Sequence, residues 1–167
     1  MKRTAKGFSL IELLIVVAII LIIAAIAIPN LLRSRIAANQ ASAVGSLKAI
    51  DTAEVAYTTT YNIGFSAHLG DLGGTCSGTT NPTATGACLI DQTLAGAAGG
   101  DTSTKSGYTM TYAAGTIVGT QIPTYTVTAA PESLGQTGQN GYFTDQSVVI
   151  RFNTAGAATA SDSPIGG

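Results

Sequence analysis

Between Leu13 and Ile28 the chain runs for sixteen residues without a polar or charged side chain, and Phe8, Leu10, Ile11, Leu31 and Leu32 extend the apolar stretch at both ends. About 20 such residues in a helix cross the hydrocarbon core of a bilayer. A helix that is apolar on every side needs lipid or other protein around it. One residue breaks the pattern: Glu12 puts a carboxylate near the start of the run. On insertion scales an acid at the centre of a membrane helix costs roughly 2.5–3.5 kcal/mol, so such a residue is rarely idle.

Three readings compete for this N-terminus. It could be a secretory signal peptide, with a basic start "MKRTAK" and a small-residue site "AIA" at Ala25–Ala27. It could be a permanent anchor, its basic end held in the cytoplasm. The third is a short charged leader ending at Gly7, with the whole apolar helix retained. Two features favour the third. A discarded peptide gives Glu12 no role. The helical pattern also continues past Ala27: Ile36, Ala43, Leu47, Ile50, Tyr57 and Tyr61 fall on one helical face. Pro29 lacks an N–H and its ring clashes with the carbonyl of Ala25, so a kink or an opening is expected there. Gly45 lowers helix propensity by about 1 kcal/mol.

Eight basic residues face nine acidic ones, a net charge of −1; without Lys2, Arg3 and Lys6 the balance is five against nine, or −4. That balance, and the lack of a basic patch with interleaved aromatics, argues against nucleic-acid binding. The two cysteines, Cys76 and Cys88, stand twelve positions apart in "CSGTTNPTATGAC" and the single histidine is His68, too few ligands for a metal site. A local disulfide in an oxidising compartment fits the pair, closing a loop worth about 3 kcal/mol; two free thiols are the alternative. Asp71, Asp91 and Asp101 are scattered without a calcium-loop pattern and read as solvated loop acids. No nucleophile elbow, Ser-x-x-Lys set or phosphate-binding loop occurs, so neither an enzyme nor a cofactor is expected.

From Gly64 to Gly107 the chain is rich in Gly, Thr and Ser and reads as a long surface loop, with "CLIDQTLA" a short helix or strand. Three strand candidates follow: "GYTMTYAAG" with Tyr108, Met110 and Tyr112 alternating with threonines, "PTYTVTAAP" with Tyr125 and Val127, and "YFTDQSVVIRFN" ending in Val148, Ile150 and Phe152 at period two. They suggest an antiparallel sheet of three or four strands packed on the helix. The tail "NTAGAATASDSPIGG" reads as a loop or a frayed end. Tyr57, Tyr61 and Phe65 could be a stack for charge transport, but their four-residue spacing is simply helical and favours packing under the sheet.

The segment "KGFSLIELLIVVAIILIIAAIAIPNLL" resembles the class III signal sequence of type IV pilins and their pseudopilin relatives. The matching elements are a short basic leader ending in Gly7, then Phe8, Glu12, the long apolar run and Pro29. The match is specific over residues 6–32 and covers about a third of the chain when followed to residue 60. The resemblance implies a prepilin peptidase cut between Gly7 and Phe8 and N-methylation of Phe8. It implies an α+β fold, a long N-terminal helix on a small antiparallel sheet. The expected segments are a leader (1–7), a membrane and filament-core helix (8–32), its amphipathic continuation (33–61) and a globular head (62–167). A free α-amino group on Phe8 has an ordinary pKa of about 7.7–8.0 and is mostly cationic at neutral pH. Charges taken out of water need partners, so Glu12 is expected to dock with the Phe8 ammonium of another copy; pairing within one copy is the competing reading.

The expected role is that of a subunit polymerised into a surface filament, for adhesion, twitching movement or DNA uptake, with the inner membrane and its assembly platform as the earlier station. A pseudopilin of a type II secretion system, or an exported binding protein with an ordinary signal peptide, are the alternatives. The resemblance also implies a helix loosened after Pro29 in the filament. Members of the family often carry their cysteine pair near the C-terminus, whereas this chain has it before the expected sheet. That departure removes the basis for transferring adhesive functions tied to a C-terminal loop.

Overall fold

The structure, a computed structural model, describes residues 8–74 and 81–166. A single helix, α1, runs Leu10–Tyr61. Its start is favoured by Glu12, an acid in the first turn where the helix dipole is positive. Its end is set by Asn62, which turns left-handed at φ 54° while its N–H bonds the Thr58 carbonyl; asparagine is one of the few residues that takes this cap conformation readily. The chain divides into two compact units, Met1–Arg35 and Ile36–Gly167. In the first, no side chain between Leu13 and Ile28 is buried.

The second unit is a head built on Ile36–Tyr61 of α1. Ile36, Ala43, Leu47, Ile50 and Tyr57 are buried on the face that the spacing predicts, and Ala53 joins them. They pack with a five-stranded sheet: β1 (Thr102–Lys105), β2 (Tyr108–Ala114), β3 (Tyr125–Pro131), β4 (Gly141–Asp145) and β5 (Arg151–Asn153). The strands lie side by side in chain order and every pair is antiparallel. Met110 stands opposite Ala129, and Val127 opposite Thr144. Tyr108, Met110 and Tyr112 of β2 are buried with Tyr125, Val127 and Ala129 of β3, so each strand buries one alternate set of side chains. The two-residue turn Ser106–Gly107 joins β1 to β2 with φ of 52° and 71°, the doubly positive geometry whose twist suits an antiparallel hairpin.

The sheet has five strands rather than three or four, and two differences account for that. β1 lies inside the stretch read as loop; its Thr-Ser-Thr-Lys sequence has too little apolar content to show a period, and only its pairing with β2 makes it a strand. The third candidate is two strands. Asp145 accepts the Ser147 N–H through its side chain and the Val148 N–H through its carbonyl, which turns the chain after β4. Val148 sits in that turn at φ 60° and is exposed, so the apparent alternation is real only from Ile150 onwards. The loop stretch also holds a 3₁₀ turn, Leu69–Leu72, and a short helix, α2 (Gln92–Ala95), capped by the Asp91 carboxylate on the Leu94 N–H. The C-terminal tail is a loop that folds back. Phe152 N–H bonds the Ser163 carbonyl, Ile165 N–H bonds the Ile150 carbonyl, and the Asn153 amide donates to Asp162. Gly141 accepts this return because it has no Cβ: one added there would lie 2.0 Å from the Gly156 carbonyl oxygen.

Candidate functional site

Glu12 lies in the first turn of α1, its N–H bonded to the Ser9 carbonyl at 3.1 Å. Its side chain is exposed, and among the described residues its carboxylate has no hydrogen bond or ion pair. Phe8 precedes the helix and is 79 % exposed. Gly7 and the rest of the expected leader lie outside the described residues, and so does Cys76. Cys88, its expected partner, is described: it sits at φ 56° with its N–H on the Gly73 carbonyl at 2.8 Å. α1 continues through Pro29 and through Gly45 as one helix. Among the described residues it is the one helix long and apolar enough to cross a membrane.

The head holds polar residues that the apolar periodicity passes over. Asp51 and Glu54 share the inward face of α1 with Leu47, Ile50 and Tyr57, and they are 1 % and 0 % exposed. Asp51 accepts hydrogen bonds from the hydroxyls of Tyr125 and Thr144, both at 2.9 Å. Glu54 accepts the Ser66 N–H at 3.0 Å and the Ser66 hydroxyl at 2.6 Å. Tyr112 stands beside it and donates to the Ser66 carbonyl. Burial raises the pKa of both carboxyls above the ordinary range, and the hydrogen bonds only partly offset that. No cation pairs with either acid among the described residues. The network ties α1 to β3 and β4 through Asp51, and to the chain leaving the helix through Glu54. A carboxylate i or i+4 from an apolar helical row would have marked both positions in the sequence.

His68 is not alone: its Nδ1 lies 2.9 Å from the Asp101 carboxylate. The three scattered aspartates each have a local partner. Asp71 is buried and accepts the His68 N–H, and burial raises its pKa against the pull of His68. Asp91 caps α2 and meets the Lys105 ammonium at 3.1 Å. Among the described residues no three His, Cys, Asp or Glu side chains converge as a metal site would require. The aromatic residues pack together: Tyr57 contacts Tyr61 with ring centroids 4.8 Å apart, Phe65 meets Tyr125 edge-on at 4.7 Å, and Tyr112 stacks on Tyr125 at 5.8 Å. Tyr57 also donates to the Ala84 carbonyl, and burial pushes its pKa up to about 12.

The chain joins a membrane-length helix, with an unpartnered acid in its first turn, to a small α+β head, and sequence comparison meets the start of that helix. Residues 2–28 match the prokaryotic N-terminal methylation motif. The chain is similar to the type IV wide pilus major component PilA4 of Thermus thermophilus, 70 % identical over 37 residues, and to the type IV major pilin protein PilA of Myxococcus xanthus, 52 % identical over 52 residues. Those alignments cover 22 % and 31 % of this chain, and 28 % and 24 % of the relatives, so the chain matches only about a quarter of each relative's length. No solved structure matches the chain.

Proposed function

We propose that this chain is the structural subunit of a type IV pilus, polymerised with copies of itself into a filament on the cell surface after a stage in the inner membrane. The observation that carries the proposal is the methylation motif over residues 2–28, which coincides from Leu10 onwards with a helix of membrane length whose apolar side chains from Leu13 to Ile28 are unburied in the single chain. Such a surface suits lipid first and a bundle of its own copies afterwards. A prepilin peptidase cuts between Gly7 and Phe8 and the new N-terminus is methylated. The Phe8 ammonium of an incoming subunit then neutralises the exposed Glu12 of a copy already assembled, since an ionised acid left unpaired in an apolar setting is costly. Pro29 provides a bend or a point of loosening in the helix, and a Cys76–Cys88 disulfide closes the loop between them. The role is structural rather than catalytic, and adhesion, twitching movement or DNA uptake would be carried out by the filament through an assembly platform in the membrane.

Intact mass and N-terminal peptide mapping of the protein from its native cells test this. A chain that begins at Phe8 with one added methyl group is expected. A chain that begins at Ile28 would make residues 1–27 an ordinary signal peptide and would overturn both the filament reading and the role given to Glu12.

A further inference from the structure

Two apolar features of the head remain without a partner inside it, and they lie at different places along its helix. The first is a projection. The β2–β3 connection closes through a tight turn at Gly119–Thr120, where Val118 and Gln121 exchange backbone bonds of 2.9 and 3.2 Å. Ile117 and Val118 at its tip are 65 % and 67 % exposed, and no charged residue occurs between Tyr112 and Pro131. Bonds between Ile122 and both Ile63 and Phe65 hold this projection beside the C-terminal end of α1.

The second is a groove of about 540 Å³ on the β5 side of the head, bordered by Val44, Lys48, Val148, Val149, Ile150 and Ile165, with Thr52 and Asp51, whose two carboxylate oxygens are already taken by Tyr125 and Thr144, completing its lining. It lies along α1 residues 44–52, with its middle roughly 20 Å from the helix end at a rise of about 1.5 Å per residue. Val148 on its rim is a β-branched residue at φ 60° and half exposed. That conformation is an outlier for a β-branched residue, and the Asp145 carbonyl bonded to the Val148 N–H holds it in the turn.

We infer that the Ile117–Val118 projection of one copy seats in the Val148–Ile165 groove of the next. A projection and a groove at different places on one molecule make a heterologous contact, which builds an open helical array when its rotation does not close into a ring. The occupant is a second copy and not an independent protein because of area. Two side chains bury far less than the roughly 1,000 Å² that a free-standing interface needs, so the contact holds only between molecules already kept close by another attachment. The inference therefore rests on the filament reading, in which the apolar helices supply that attachment.

The test places a photo-crosslinking benzoylphenylalanine at Val118, and separately at Ile117, in the full chain expressed in cells that make filaments. Irradiated, sheared filaments should give a ladder of covalent multimers whose crosslinked peptides contain residues 148–150 or 165. V118K, which sets a second ammonium beside Lys48, should lower resistance of the filaments to dissociation by at least about tenfold in half-life. Adding V148D should restore it. Filaments whose crosslinks map elsewhere, lead to another protein or form no ladder overturn the inference and leave the filament reading standing. Cells that make the processed wild-type chain and no filament overturn both.

Discussion

Raising the pH from 4.5 to 7.5 should destabilise the head, and replacing Asp51 and Glu54 by Asn and Gln should remove most of that dependence. Both carboxyls have folded-state pKa values raised above their ordinary 3.8 and 4.5, chiefly by burial, and Asp71 shifts the same way. Over the interval between the unfolded and the folded pKa, the folded chain binds more protons than the unfolded one, so stability falls as pH rises. Their contribution is complete below the unfolded values and is lost as pH passes through the folded ones. Asp91 and Asp162 are shifted downwards and act in the opposite sense, but only below their ordinary 3.8. Each buried acid contributes a slope of at most about 1.4 kcal/mol per pH unit. For a head of this size that corresponds to roughly 4–10 °C in Tm per pH unit with one or two acids titrating. The amides keep the network satisfiable: in E54Q the new side-chain amide can accept the Ser66 N–H and donate to the Ser66 hydroxyl, which turns to Tyr112. Thermal unfolding of the full chain in detergent, followed by near-ultraviolet circular dichroism of the core tyrosines, measures the effect. A Tm that is flat or rising over this range, or an unchanged slope in D51N/E54Q, would refute the account of these two acids.

Three further outcomes are expected. Glu12→Gln should leave membrane insertion and processing intact, with mass and cell fractionation unchanged, while sheared filaments fall to a small fraction of the wild-type yield. Leu47→Ala, at a side chain with no exposure, should cost about 2–5 kcal/mol through lost burial and the cavity left behind, read as a lower Tm of the head. Gly141→Ala should destabilise the head and release the tail, because the new Cβ meets the backbone of Gly156 rather than a side chain that could move; faster proteolysis after β5 is its signature.

The long helix, its inward face and the cores of β2 and β3 were legible because each carries a repeated apolar signal. The start of the helix was legible from Phe8, Glu12 and the uninterrupted run behind them. β1 was not: its four residues include no large apolar side chain, and pairing alone makes it a strand. The turn at Asp145–Val148 was hidden because two valines imitate a strand, and the local bonds of Asp145 decide otherwise. Asp51 and Glu54 were passed over because a period drawn through apolar residues skips the polar ones on the same face. The pairing of His68 with Asp101 was not legible because the two lie 33 positions apart in the chain.

The order of the sheet has a consequence for how the head forms. Every strand pairs with the one before it in the chain, from β1 to β5, so each hairpin closes over a short stretch of sequence. Sheets of that kind have low contact order and fold quickly for their class. In a chain whose first helix stays in the bilayer, as proposed above, the head emerges from its N-terminal side, and each strand arrives with its neighbour already in place. The inward face of α1 is presented before any strand, as a template bearing Leu47, Ile50 and Tyr57. Only the C-terminal return over Gly141 must wait for the last residues, so the head can be almost complete while its tail is still crossing the membrane.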